Sequence, residues 1–98
     1  MAEPDKQLSL SDGTVRLYTN VKFLEGTKEI CSGDHMIVQH VTGRDEDVVI
    51  LREDGKATVK RIVLKMEFPS GRGGVSFADL DAKDVERLLA IYKLVNES

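Results

Sequence analysis

Tryptophan is absent from this 98-residue chain, and its aromatic residues amount to three phenylalanines and two tyrosines. A core without large rings must be filled by aliphatic side chains, and it stays modest, because a domain this small buries only about 60 to 70% of the surface its unfolded chain exposes. The single cysteine, Cys31, excludes an intramolecular disulfide and with it the disulfide-stapled secreted domains. No apolar run approaches the roughly 20 residues that span a bilayer. The opening Met-Ala-Glu-Pro-Asp-Lys lacks the basic and apolar regions of a secretory signal. A cytoplasmic protein without a membrane partner is expected. Excess positive charge is missing too: 14 Lys and Arg against 17 Asp and Glu leave a net charge of −3. That excludes coating nucleic acid by bulk charge, but not a local basic face.

Catalytic signatures are equally scarce. There is no Gly-x-Ser-x-Gly elbow, no Walker-type loop and no His-Glu-x-x-His. Cys31, Asp34, His35 and His40 are all metal-ligating types. On a strand over residues 35–41, however, two histidines five apart point to opposite faces and cannot converge. A non-enzymatic protein with no metal and no cofactor is expected.

What the sequence does contain is a hairpin, residues 47–68, around which the rest is arranged. Asp54-Gly55 lies between two β-rich arms, and a two-residue type I′ loop needs positive φ at both positions, which these residues tolerate best. The register follows by counting: Glu53 faces Lys56, Arg52 faces Ala57, Ile50 faces Val59 and Val48 faces Arg61, with the first an opposite-charge pair. In the second arm the apolar residues switch from odd positions (Ala57, Val59) to even ones (Ile62, Leu64, Met66, Phe68). Because strand side chains alternate faces, a β-bulge or sharp bend is expected at Lys60-Arg61.

Around the hairpin, residues 1–6 read as a disordered tail and residues 7–98 as one domain. Short strands are expected over 7–10, 14–24, 28–31, 35–41 and 75–77, and the segment Ser32-Gly33-Asp34 reads as a turn. The strand over 14–24 should place Val15, Leu17, Thr19, Val21 and Phe23 on one side. Pro69 and the glycines at 71, 73 and 74 predict a loop. A helix over about 81–96 is indicated by Asp81 as N-cap, Asp84 at N3 and a stripe of Val85, Leu88, Leu89, Ile91, Tyr92 and Val95. The fold class expected is α+β, mainly antiparallel β, with strongly bent sheets capped by one C-terminal amphipathic helix. In element count and order this resembles the pleckstrin-homology superfold, which implies an orthogonal sandwich; a small SH3-like barrel with an added helix is the alternative.

Function must then lie in surfaces. Val49 and Leu51 alternate with Val48 and Ile50, so this arm is apolar on both faces. Either the helix covers the second face or it is an exposed patch for a protein partner or a second copy. The loop at 71–74 can offer backbone N–H groups and Arg72 to an anion, or a contact to a protein. A bend at Lys60-Arg61 would align Lys56, Lys60, Arg61 and Lys65 as a basic ribbon. With Arg16, Tyr18 and Lys22 on a neighbouring strand, that ribbon could hold RNA or single-stranded DNA. Acidic groups at Asp45-Glu46-Asp47, Glu53-Asp54 and Asp79, Asp81 and Asp84 suit a basic protein. Three readings follow: a protein-binding or assembly module, possibly self-associating; a nucleic-acid binder; and an inhibitory or structural accessory protein of the kind found in compact viral or mobile-element genomes.

Overall fold

The computed structural model describes residues 3–25, 27–67 and 72–97, with side chains at all of these except 25, 64–67 and 72–74. Six strands, β1 (Lys6–Leu10), β2 (Gly13–Glu25), β3 (Lys28–His40), β4 (Asp45–Glu53), β5 (Lys56–Glu67) and β6 (Arg72–Asp79), precede one helix, α1 (Ala82–Glu97). Neighbours in sequence are neighbours in the sheet, all antiparallel, and β1 does not pair with β6, so the sheet stays open. The protein is α+β and mainly antiparallel β, as its composition of short turns and one terminal helix implies.

The β4–β5 hairpin has the register obtained by counting, from Glu53 opposite Lys56 to Val48 opposite Arg61. Asp54 and Gly55 take φ of 52° and 78°, the double positive φ of a type I′ turn. Asp81 caps the helix: the Asp84 amide donates to Asp81 Oδ1 at 2.8 Å. The helix buries Leu88, Tyr92 and Val95 against Val15, Leu17, Met36, Val38, Val48, Ile50 and Val59, forming the main core. Leu89 and Ile91 pack on its margin.

Several expectations need correction. No bulge occurs at Lys60-Arg61, where the register is unbroken from Arg61 opposite Val48 to Glu67 opposite Arg72. The parity switch has another cause. The first half of β5 pairs with β4 and the second half with β6. Val59 is buried on the helix side, while Ile62, one step out of phase, faces the other side beside its register partner Phe77. Each half is apolar on a different face because each half has a different cover.

A bulge lies instead in β2, between Tyr18 and Val21, where Thr19 and Asn20 together span one residue of β3, and the β2–β3 register shifts again between Phe23 and Leu24. Val15 and Leu17 face the helix, and beyond the bulge Val21 and Phe23 face the opposite side; the run 14–24 does not keep one face. Asn20 has a φ of 54°, a left-handed conformation in which Asn is enriched. Carboxylates take both amides that the bulge frees: Asp5 Oδ2 accepts from the Thr19 amide at 2.7 Å and Asp34 Oδ1 from the Asn20 amide at 3.2 Å. Asp5 and Lys6 are thus held in place, and the Lys6 ammonium also donates to the Asn96 carbonyl.

Residues 32–34 are not a turn but part of β3. Gly33 lies where β4 crosses closely: a β-carbon there would sit 2.6 Å from the Ile50 carbonyl oxygen. At Gly13 the corresponding distance, to the Gln39 carbonyl oxygen, is 2.0 Å. Both glycines serve close backbone approach inside the sheet. Residues 72–74, read as loop, open β6, with Gly73 and Gly74 opposite Met66 and Lys65. Pairing to a β-rich partner strand outweighs the weak strand preference of glycine. The remainder of that expected loop, 68–71, lies outside the described residues.

Among the described residues, β2 beyond the bulge pairs with β3 alone, and the far half of β5 pairs with β6 alone. These two arms meet on the face away from the helix, where Phe23 and Phe77 pack edge to face with ring centroids 5.5 Å apart.

Candidate functional site

Against this frame, the predicted contact residues separate. Val49 is fully enclosed (0% exposed). Its face is turned away from the helix, on the side where the two arms meet, and Leu51 beside it is half-buried. Arg72 opens β6, and its side chain lies outside the described residues. The basic ribbon does not form on one face, because without a bend Lys60 faces away from the helix and Arg61 faces the helix side, and Lys56, next to the turn, lines a groove beside the end of the helix. Arg16 and Tyr18 precede the β2 bulge and Lys22 follows it, so Lys22 falls on the opposite face from them. Lys65 is without a described side chain. Lys60 lies 3.8 Å from Asp79, and the Tyr18 ring packs at 5.7 Å against His35, so both already have partners.

The structure brings other side chains together. At one end of the main core, a cleft of about 660 Å³ separates the start of β4 from the N-terminal turn of α1. Glu46 spans it: Oε1 is 2.9 Å from His40 Nε2, and Oε2 accepts from Arg87 Nη2 at 2.6 Å. Arg87 also donates to Asp84 at 3.2 Å. Burial pulls the Glu46 carboxyl upward, but the hydrogen bonds and charges of Arg87 and His40 outweigh it and leave the pKa below its ordinary value. Both oxygens are engaged, so a ligand proton could reach Glu46 only by breaking a pair. The arrangement ties β3, β4 and α1 together.

The sign of its pH dependence follows. A carboxylate depressed in the folded state contributes stability above its unfolded pKa of roughly 4.3 and loses it as pH falls through the lower folded value. Glu46→Gln should therefore flatten the acid limb of stability, leaving a smaller difference in chemical-denaturation midpoint between pH 6 and pH 3 than in the native chain, as urea titration at both pH values will show.

At the other end of the core, Tyr92 of the helix reaches through to the sheet. Its hydroxyl donates to Asp34 Oδ2 at 2.5 Å and accepts from Arg52 Nη2 at 3.1 Å. Burial, followed by the bond to Asp34, raises the Tyr92 pKa, with Arg52 opposing. The sequence signal for this was present: a buried tyrosine usually finds a partner for its hydroxyl. The helical stripe alone, however, marks Tyr92 only as core. On the opposite face His35 pairs with Asp47 and packs against Phe23 at 6.0 Å. His35 and His40 thus lie on opposite faces of β3 with separate carboxylates. Among the described residues no group of three His, Cys, Asp or Glu is placed to hold a metal ion. Burial and the nearby Glu29 raise the Cys31 thiol pKa, which reduces its thiolate fraction at neutral pH.

The remaining feature is the sheet edge. Among the described residues β6 pairs only with β5, and no strand is hydrogen-bonded to its outer side. Between Arg72 and Asp79 it carries no charge and no proline, the devices that ordinarily blunt an edge. No helix among the described residues is long and apolar enough to cross a membrane. No protein-family model, no curated protein and no solved structure matches this chain.

Proposed function

We propose that this protein is a non-enzymatic assembly module that associates with a second copy of itself by strand addition at β6. The observation that carries the reading is the unpaired outer edge that β6 forms, among the described residues, in an open sheet. An edge strand presents a row of unsatisfied N–H and C=O groups, and antiparallel addition of another strand satisfies them.

The residue order of β6 supports self-pairing. Arg72-Gly-Gly-Val-Ser-Phe-Ala-Asp79 has a cation at one end and an anion at the other. Antiparallel pairing of two copies about the midpoint between Val75 and Ser76 sets Arg72 opposite the second copy's Asp79 at both ends. It also sets Phe77 opposite Gly74, where a ring covers a residue with no side chain of its own. Opposite-charge cross-strand pairs contribute about 0.2 to 1 kcal/mol each, and symmetry supplies two. The open meander with a terminal helix would then resemble the PH-like sandwich more than a closed SH3-like barrel, since closure would remove the edge.

A charge swap tests this. Asp79 is 92% exposed in its side chain, so Asp79→Lys should leave the fold intact. It replaces two attractive pairs by two repulsive ones and should weaken the dimer roughly 10- to 100-fold. The double variant Arg72→Glu with Asp79→Lys should recover most of the loss. Light scattering coupled to size exclusion measures all three; a native chain that is monomeric at every concentration, or a double variant no better than the single, overturns the proposal.

A further inference from the structure

A second groove, of about 550 Å³, runs between the β4–β5 turn and the last turns of α1. Its floor is apolar, made by Ala57, Leu89 and the ring of Tyr92, and its rim carries Arg52, Lys56 and Lys93. No carboxylate lines it among the described residues. This contrasts with the cleft at the opposite end of the core, where Arg44, Arg61 and Arg87 meet Asp45, Glu46, Asp47 and Asp84. In a chain of net charge −3, three cations gathered on an apolar floor run against the overall balance.

The three cations are also little neutralised. Lys56 and Lys93 make no ion pair among the described residues. Glu53, the register partner of Lys56, is not part of the groove. Arg52 spends one N–H on the Tyr92 hydroxyl and keeps the rest of its planar donor set. Asp34, the acid that acts on Arg52, sits behind that hydroxyl, where it is held by Tyr92 and by the Asn20 amide. The volume falls in the usual range of small-molecule sites, and such sites combine an apolar lining with a few placed polar groups.

From this we infer that the groove binds a small amphipathic carboxylate, whose head lies between Arg52, Lys56 and Lys93 and whose apolar body lies over Ala57, Leu89 and the Tyr92 ring. A guanidinium offers a carboxylate two parallel hydrogen bonds, and Lys56 and Lys93 add point charges. The apolar floor excludes hydrated inorganic anions as preferred occupants.

The experiment titrates the full chain with octanoate, with octan-1-ol as the neutral analogue and 4-phenylbutyrate as the aromatic one. Amide chemical shifts and calorimetry provide the readouts. Octanoate should move amides of the β4–β5 turn and the end of α1 and bind at least about tenfold more tightly than the alcohol. Comparison with 4-phenylbutyrate then separates an aliphatic from an aryl preference. The variant Lys56→Glu with Lys93→Glu alters two exposed side chains and should lose at least about tenfold in octanoate affinity while its unliganded spectrum stays native. Equal affinity for acid and alcohol, an affinity unchanged in the double variant, or no shift at millimolar octanoate overturns the assignment.

Discussion

Gly33→Val is expected to abolish the native fold at room temperature. The β-carbon would lie 2.6 Å from the Ile50 carbonyl oxygen and 3.1 Å from side-chain atoms of both Leu51 and Val49. The first of these is backbone, so a rotamer change cannot relieve it. Either β3 or β4 must move, and they can separate only by giving up the pairing that runs from Asp34 opposite Ile50 to Gln39 opposite Asp45. Overpacking that forces backbone shifts costs typically about 1 to 3 kcal/mol. With loss of strand pairing added, the cost reaches a large part of the roughly 5 to 15 kcal/mol that holds such a domain together. Gly55→Ala is the matched control. No atom lies within 4 Å of its added β-carbon, and only the φ of 78° is strained, so about 1 kcal/mol is expected. Far-UV circular dichroism and urea titration distinguish the two. A cooperative, native-like Gly33→Val variant would mean that β4 does not cross β3 this closely.

Asp34→Ala should cost about 3 kcal/mol and lower the thermal midpoint by roughly 15 °C. One carboxylate serves two distant elements: Oδ1 holds the Asn20 amide of the β2 bulge and Oδ2 holds the Tyr92 hydroxyl of the helix. Removing it leaves the Tyr92 hydroxyl, part-buried, without its acceptor, where an unmet polar group costs more than the bond itself contributes, and it takes a charge-assisted bond from the exposed Asn20 amide of the bulge. Tyr92→Phe removes one of the two bonds of Asp34 together with the bond that the exposed Arg52 donates, which water can replace, and should cost about 1 kcal/mol. In the double variant the two losses should be less than additive, because both include the same hydrogen bond. Strict additivity in that cycle would show that Asp34 and Tyr92 act independently.

Much of the local architecture is legible in the residues. Asp54-Gly55 sets its hairpin and register because only a type I′ turn matches strand twist at that length. Asp81 and the stripe from Val85 to Val95 define the helix because capping and 3.6-residue periodicity are local properties. The parity switch of β5 was legible as well, although not its cause: alternation reports which face is covered and is silent on what covers it. The β2 bulge was hidden because Thr19 continues an apparent alternation. Its captors, Asp5 and Asp34, each lie 14 residues away in the chain.

The sequence by itself therefore determined the hairpin turn, the helix and the mainly antiparallel class, all products of short-range sterics and periodicity. Only the tertiary structure decided the rest. It turned residues 32–34 from a turn into strand, because Gly33 admits β4. It buried Val49 on the side where the two arms meet and divided the basic residues between two faces. It also left β6 open and gathered Arg52, Lys56 and Lys93 over one apolar floor. Each of these depends on which distant backbone arrives beside a residue, and side-chain type alone does not encode that.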